Sequence, residues 1–135
     1  MIKKIAFMFG VIFLLIGILG LIPGATTTTA DGMQLLLGLF MVDGTHNAIH
    51  IASGVAALLA ASSERYAKWY LQIFGLVYAL VALIGFVQGD SVLGLFAVNP
   101  ADNWLHTILA LGLLGAGFGI NSSAPTPTTP TSTLK

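Results

Sequence analysis

Four apolar stretches constrain this chain more than any other feature of its sequence. They run about Ile5–Ile22, His46–Ala61, Trp69–Val87 and Trp104–Ile120. Helices of about 17–25 predominantly apolar residues have the length that a lipid bilayer requires. A helix also satisfies its own backbone hydrogen bonds, which a span through hydrocarbon must do. The sequence therefore predicts four transmembrane helices, of which the second is the shortest.

The amount of charge supports this prediction. The chain has 135 residues, of which 56% are hydrophobic and 7% are charged. A soluble domain carries about 25% charged residues, so this chain has too little charge to cover a surface that faces water. Its formal net charge of zero argues against a nucleic-acid-binding protein. The absence of cysteine excludes disulfides, thiolate metal sites and cysteine nucleophiles. We expect an all-α integral membrane protein in contact with lipid.

The distribution of charge predicts the orientation of the helices. With four spans, all five basic residues fall on one side of the membrane, namely Lys3, Lys4, Arg65, Lys68 and Lys135. The loops on the opposite side contain no basic residue and four aspartates, namely Asp31, Asp43, Asp90 and Asp102. Cytoplasmic loops are enriched in Lys and Arg, so both termini are predicted to be cytoplasmic.

Both ends of the chain admit a second interpretation. Two lysines, a long apolar run and Pro-Gly-Ala at 23–25 partly fit a cleaved signal peptide. We favour a retained first helix because the run is long for such a peptide. Residues 121–135 are rich in Ser, Thr and Pro, a composition that cannot bury enough apolar surface to fold. We expect a transmembrane domain at 1–120 and a disordered cytoplasmic tail at 121–135.

An internal similarity indicates a duplication. Leu37–Asp43 is echoed by Leu93–Asn99, and without a gap Asn47–His50 then aligns with Asn103–His106. Each copy contains two spans, so both enter the membrane from the same side. The similarity predicts two tandem parallel repeats related by a pseudo-twofold axis along the membrane normal.

The predicted repeats cover about 5–61 and 69–120, and together they would form one four-helix transmembrane bundle. Each contains a Leu-Gly-Leu-Phe segment, at 37–40 and at 93–96. These segments are too short to span a bilayer. We favour an interfacial stretch on the outer leaflet, and a re-entrant loop is the alternative.

The paired motifs resemble a known family. Leu-Gly-Leu-Phe is followed by His-Asn-x-x-His at 46–50, and Val-Asn-Pro-x-Asp-Asn-Trp-Leu-His stands at 98–106. This pattern is similar to an uncharacterised bacterial family of four-pass membrane proteins, domain of unknown function 4383. The likeness extends from the first helix to about Phe118. It implies a four-helix fold in a bacterial inner (or thylakoid-type) membrane, and it supplies no activity.

Polar residues gather at the outer ends of the second and fourth predicted helices. They are His46, Asn47, His50, Asp102, Asn103 and His106. The alignment pairs the asparagines with each other and pairs His50 with His106. Where the first repeat has His46, the second has Asp102. We take these six residues as the candidate ligand-binding site.

A structural role accounts for part of this group. Asp43 and Asn99 are suited to cap the two helices, and a proline fits the first turn of the fourth. Asp102 would interact favourably with a helix N-terminus. The asparagine and histidine side chains would then form hydrogen bonds between helices, as buried polar groups require.

Two functional interpretations compete with this structural role. The imidazoles of His46, His50 and His106 are candidate ligands for zinc, copper or iron. Alternatively, His50 and His106 would bind a haem axially, or each would bind one chlorophyll-type magnesium. Neutral imidazoles also relay protons, so a path for protons or a small solute is a further hypothesis.

No recognisable catalytic motif accompanies these residues. Ser53 lies one helical turn from His50 without an obvious carboxylate to orient it. The leading hypothesis from the sequence is a non-enzymatic membrane protein, either a homo-oligomer or an accessory subunit of a larger membrane complex. The alternatives are a metal- or tetrapyrrole-binding protein and a solute or proton pathway.

Overall fold

Four helices form most of the structure, a computed structural model that describes residues 1–120. They are α1 (Ile2–Leu19), α2 (Gly44–Ala60), α3 (Glu64–Gln88) and α4 (Pro100–Gly119). The prediction of four helices is confirmed, with small differences in their bounds. The tail predicted at 121–135 lies outside the described residues.

Side chains in the connecting segments determine where three of the helices begin. The Ser63 hydroxyl accepts a hydrogen bond from the backbone N–H of Tyr66 at 3.1 Å, so α3 begins well ahead of the apolar run at Trp69. Asp43 and Asn99 cap α2 and α4, as the sequence predicted. A capping side chain satisfies backbone N–H groups that have no partner within the helix.

Short strands occupy the two loops that connect α1 to α2 and α3 to α4. The first loop contains β1 (Thr26–Thr28), β2 (Gln34–Leu36) and β3 (Phe40–Val42) in an antiparallel sheet. The second contains β4 (Ser91–Val92) and β5 (Phe96–Ala97), also antiparallel. The all-α prediction was therefore wrong for these loops, because strands of two or three residues are too short to show an alternating pattern.

The Leu-Gly-Leu-Phe segments form the turns of two β-hairpins. Leu37 and Gly38 have φ values of 53° and 71°, and Leu93 and Gly94 have 54° and 68°. Two consecutive positive φ values are characteristic of the type I′ turn, whose twist matches that of the flanking strands. The segments predicted to be interfacial stretches are thus tight turns between β2 and β3 and between β4 and β5.

The helices pack chiefly in two pairs, α1 with α2 and α3 with α4. Glycines allow close approach within each pair. A Cβ on Gly17 would lie 2.7 Å from the carbonyl oxygen of Asn47, and a Cβ on Gly75 would lie 3.0 Å from the backbone nitrogen of Leu114. Small residues at helix interfaces are typical of membrane bundles, in which lipid provides no hydrophobic force between helices.

The interior and the exterior of the bundle are both apolar. Phe13, Leu71 and Leu113 are fully buried between the helices. Large apolar side chains are exposed on all four helices, among them Phe7, Leu15, Leu59, Leu76, Leu83, Trp104 and Leu111. Within residues 1–120, α1 and α3 are long and apolar enough to cross a membrane. These features indicate membrane association.

Candidate functional site

The structure brings the three histidines together near the N-terminal ends of α2 and α4. Their candidate ligand atoms all lie within 4.8 Å of one another. His46, His50 and His106 have exposed fractions of 2%, 1% and 2%. The ring centroids of His50 and His106 are 6.0 Å apart with an interplanar angle of 22°, so these aligned residues face each other. We refer to these three residues as the histidine cluster.

Helix capping places the cluster. Asp43 Oδ1 accepts the backbone N–H of His46 at 2.7 Å and starts α2. His50 follows one turn later on the same face, and its ring centroid is 5.0 Å from that of His46. The Asn99 side chain accepts the backbone N–H of Asp102 at 3.0 Å and starts α4. His106 lies one turn beyond Asp102, so both cap positions determine where the imidazoles stand.

A backbone carbonyl of the second hairpin orients His46. Its Nδ1 lies 3.1 Å from the carbonyl oxygen of Ala97. A carbonyl can only accept, so Nδ1 carries the hydrogen and Nε2 keeps its lone pair. His46 Nε2 points into the cluster and lies 3.1 Å from Nε2 of His50. A metal-binding histidine is commonly oriented by a carbonyl at its other ring nitrogen in this way.

Two ring nitrogens of the cluster lack a partner among the described residues. They are Nδ1 of His50 and Nδ1 of His106, and both are buried. A buried polar atom without a hydrogen bond costs about 1–3 kcal/mol. Packing alone therefore leaves part of the cluster unexplained.

Aromatic rings enclose the cluster. The ring centroid of Phe13 is 5.7 Å from that of His50, and the centroid of Phe96 is 5.3 Å from that of His46. The ring centroid of Tyr78 is 5.6 Å from that of His106, and the Tyr78 hydroxyl donates a hydrogen bond to Ser53 Oγ at 3.4 Å. The immediate surroundings of the imidazoles are thus largely apolar.

Asp102 was predicted both as a candidate ligand and as a favourable residue at the N-terminus of α4, and its carboxylate takes the second role. Its Oδ2 accepts the backbone N–H groups of Asn99 and Met41, both at 2.9 Å. It lies ahead of the predicted span at Trp104, and burial raises the pKa of Asp102 to about 6, while the two N–H donors partly oppose this rise. Asp102 therefore closes the cap of α4 and holds the first hairpin; it does not join the metal-ligand group formed by the histidines.

The two asparagines of the predicted site lie at helix interfaces. The carboxamide of Asn47 lies against Gly20, and that of Asn103 lies against Gly85 in the equivalent way. Both side chains have an exposed fraction of 2%. Their Oδ1 atoms have no hydrogen-bond partner in the described part of the chain. Each asparagine therefore helps to pair neighbouring helices, α1 with α2 or α3 with α4.

Each half of the chain binds the hairpin of the other half. Asp43 Oδ2 accepts the backbone N–H of Ala97 at 2.6 Å, and Asp102 Oδ2 accepts that of Met41. The Asn99 amide donates to the carbonyl oxygen of Leu39 at 2.8 Å. The same hairpin residue, Ala97, thus contacts both the cap of α2 and the ring of His46.

Sequence reasoning missed Ala97 as an orienting residue. A backbone carbonyl can come from any residue type, so an alanine carries no signal of this role. Asp43 was expected to cap α2 only, and its second oxygen anchors Ala97 as well. The one signal in the sequence was that Asp43 and Asn99 occupy equivalent positions in the two similar segments, which suggested equivalent contacts for the two residues.

Comparison with known proteins gives one result. The family described as Domain of unknown function (DUF4383) matches residues 3–119. No curated protein and no solved structure gives a significant match. The match covers the four helices and both hairpins, together with every residue of the histidine cluster. The chain therefore belongs to the DUF4383 family, as its paired motifs indicated.

Proposed function

We propose that this protein is an integral membrane protein that binds one transition-metal ion through His46, His50 and His106. The observation that carries the proposal is the convergence of three buried imidazoles, with ligand atoms within 4.8 Å of one another. Imidazole nitrogens bind zinc at about 2.0–2.1 Å, so ligands at tetrahedral angles lie about 3.3 Å apart. Side-chain rotations that move these nitrogens by about 1.5 Å would bring them from within 4.8 Å of one another to this spacing.

The hydrogen bond to Ala97 favours metal binding over a purely structural role. It makes the lone pair of His46 Nε2 the acceptor for the Nε2–H of His50 at 3.1 Å, and an ion would take the place of that hydrogen. Three imidazoles buried beside Phe13, Tyr78 and Phe96 lose their hydration, and an ion would offset this loss through coordinate bonds. The structural role assigned to this group from the sequence explains Asp102 fully, whereas it leaves Nδ1 of His50 and Nδ1 of His106 without partners among the described residues.

A compact ion suits this geometry better than a tetrapyrrole. His50 and His106 are stacked with their centroids 6.0 Å apart, and His46 lies 5.6 Å from His106. A macrocycle between them would have to displace His46 and the aromatic rings that touch the cluster. Haem and chlorophyll are therefore less favoured than a metal ion alone.

We place the site in a four-span bundle of two tandem parallel repeats. Exposed apolar side chains on every helix support four spans. Matching hairpin turns, caps and asparagine–glycine contacts support the duplication. The basic residues support cytoplasmic termini. In this topology the histidine cluster lies at the outer side of the membrane.

Metal analysis of the full-length protein tests the proposal. The protein is purified in mild detergent, and bound metal is measured by native mass spectrometry and by elemental analysis. We expect one ion per chain, lost in His50→Leu and in His106→Leu. Leucine keeps an apolar side chain of similar size in the core, so the helical content measured by circular dichroism should persist.

Tyr78→Phe is the matched control. Residue 78 contacts the rings of His50 and His106, and this variant retains all three imidazoles. It should therefore keep its metal. Metal content that is unchanged in both histidine variants would refute the proposal. Native protein without metal, together with failure of the purified protein to take up zinc, copper or iron, would also refute it. A mass that matches further copies of the chain or a companion would support the oligomeric or accessory role expected from the sequence.

A further inference from the structure

The histidine cluster offers three imidazole donors and, among residues 1–120, no anionic ligand. We infer that the ion bound by His46, His50 and His106 is copper(I), an inference that rests on the metal site proposed above. The three candidate ligands are all imidazoles, which bind a metal in their neutral form. The chain has no cysteine that would supply a thiolate, and no carboxylate of residues 1–120 joins the group.

The charge of the ion is the first argument. The cost of moving an ion from water into an apolar interior rises with the square of its charge, so a divalent ion costs about four times as much as a monovalent one. Neutral ligands do not reduce the net charge of the ion. The cluster is buried to 1–2% exposure and bordered by aromatic rings. Such surroundings disfavour Zn²⁺ and Fe²⁺ more strongly than Cu⁺.

Two acidic side chains cap the helices that carry the cluster, and neither is a ligand. Asp43 is hydrogen-bonded to the backbone of His46 and also to Ala97, whose carbonyl oxygen orients the same imidazole. Asp102 instead binds the backbone of Asn99 and Met41. Both carboxylates bond to backbone N–H groups and neither joins the ligand group, so the ligands themselves leave the charge of the ion unbalanced.

The number of ligands is the second argument. Structural zinc sites take four ligands in a tetrahedron, and copper(II) favours tetragonal coordination. Zinc held by three histidines takes a water as its fourth ligand, whereas copper(I) tolerates three nitrogen ligands in a plane without a fourth. The cluster offers three imidazoles, and Phe13, Phe96 and Tyr78 occupy the neighbouring positions. Imidazole is also a ligand that copper accepts readily.

A competition experiment tests the choice of ion. Metal-free protein in detergent is titrated under anaerobic, reducing conditions with Cu⁺ buffered by a coloured copper(I) chelator. The titration is repeated with Zn²⁺ in about 100-fold excess. We expect one Cu⁺ per chain, retained in the presence of Zn²⁺, with three nitrogen neighbours in its X-ray absorption spectrum.

Variants and outcomes separate this inference from the proposed function. His106→Leu should weaken Cu⁺ binding by more than the roughly 10–100-fold typical of a lost outer-shell partner. Tyr70→Phe, which removes a buried hydroxyl bonded to the Ser53 carbonyl oxygen and no ring of the site, should bind as the wild type does. Displacement of Cu⁺ by Zn²⁺ would overturn the choice of copper(I) and leave the metal site standing. Failure of both ions to bind, with the protein folded, would overturn the metal site itself.

Discussion

The carbonyl oxygen of Ala97 lies 3.1 Å from Nδ1 of His46, although 51 residues separate them in the chain. This contact joins the second hairpin to the first residue of the histidine cluster. The backbone N–H of Ala97 is in turn bound by Asp43. Asp43, which caps the helix that carries His46, thus orients the His46 ring indirectly, by holding Ala97 of the second hairpin.

Asp43→Ala should weaken metal binding although it removes no ligand. The change releases Ala97 and with it the acceptor that holds the His46 ring. Loss of an outer-shell partner typically costs about 10–100-fold in metal affinity. The affinity is measured by competition with a chromogenic chelator.

Asn99→Ala is the matched control for Asp43→Ala. It also removes a helix cap, worth about 1 kcal/mol, but it leaves the bond between Asp43 and Ala97 in place. We expect Asn99→Ala to lower thermal stability with a smaller effect on affinity. Equal affinity losses in the two variants would show that capping, and not the orientation of His46, controls binding.

The pH dependence of stability should depend on Asp102. Burial raises the pKa of this carboxyl from its ordinary 3.8 to about 6 in the folded protein. Between pH 3.8 and about 6 the carboxyl is protonated in the folded state and ionised in the unfolded state. The stability that the bound proton contributes is fully present below pH 3.8 and is lost as the pH rises through about 6. Asp102→Asn keeps an acceptor for Asn99 and Met41 but has no charge. We expect the variant to gain stability relative to the wild type as the pH rises across this interval, on the order of 3 kcal/mol at neutral pH.

Thermal unfolding of detergent-solubilised protein between pH 4 and pH 8 measures this effect. Asp102→Ala provides the contrast, because it removes both buried hydrogen bonds and should be destabilised at every pH. A stability difference between the wild type and Asp102→Asn that does not change with pH would contradict the prediction.

The helices and the approach of the histidines could be predicted because the signals behind them are local. Long apolar runs identify helices without knowledge of their neighbours. Similar sequences around His50 and His106 placed the two residues at equivalent positions, and the structure shows that their rings face each other. Whether they would meet was left open by the sequence, since it depends on the rotation of α2 and α4 about their axes.

The hairpins and the hydrogen bond between Met41 and Asp102 could not be predicted, although the place of Asp102 at the start of α4 was expected. Leucine is a poor residue for a positive φ, so neither Leu37 nor Leu93 signals a type I′ turn. Asp102 aligns with His46 and was grouped with it, but its carboxylate bonds to Met41 across the halves of the protein. A contact between segments distant in the chain leaves no trace in either segment alone.

The strained leucines of the two turns should be replaceable with a gain in stability. Leu37 and Leu93 have positive φ values and exposed fractions of 70% and 61%. Left-handed backbone costs an ordinary residue about 1–2 kcal/mol, and Asn-Gly is a preferred pair in type I′ turns. Leu37→Asn and Leu93→Asn should each raise the free energy of unfolding by about 1 kcal/mol.

Leu39→Asn is the control for the turn variants, because Leu39 is exposed in the same hairpin without a positive φ. It should give no gain in a detergent unfolding assay. A loss of stability in Leu37→Asn and Leu93→Asn would show that these side chains contribute more through contact with detergent or lipid than their backbone strain costs.

Close contact between Asn103 and Gly85 should make any side chain at position 85 destabilising. A Cβ on Gly85 would overlap the carboxamide of Asn103, which is itself buried. Overpacking of this kind costs about 1–3 kcal/mol, so Gly85→Ala should lower the unfolding temperature. Combining it with Asn103→Ala should recover part of the loss, because the clashing group is then removed.

Gly115→Ala is the control, since a Cβ there meets no atom of the described chain within 4 Å and should add helix propensity. Equal effects of Gly85→Ala and Gly115→Ala would mean that α3 and α4 are not held together at the asparagine.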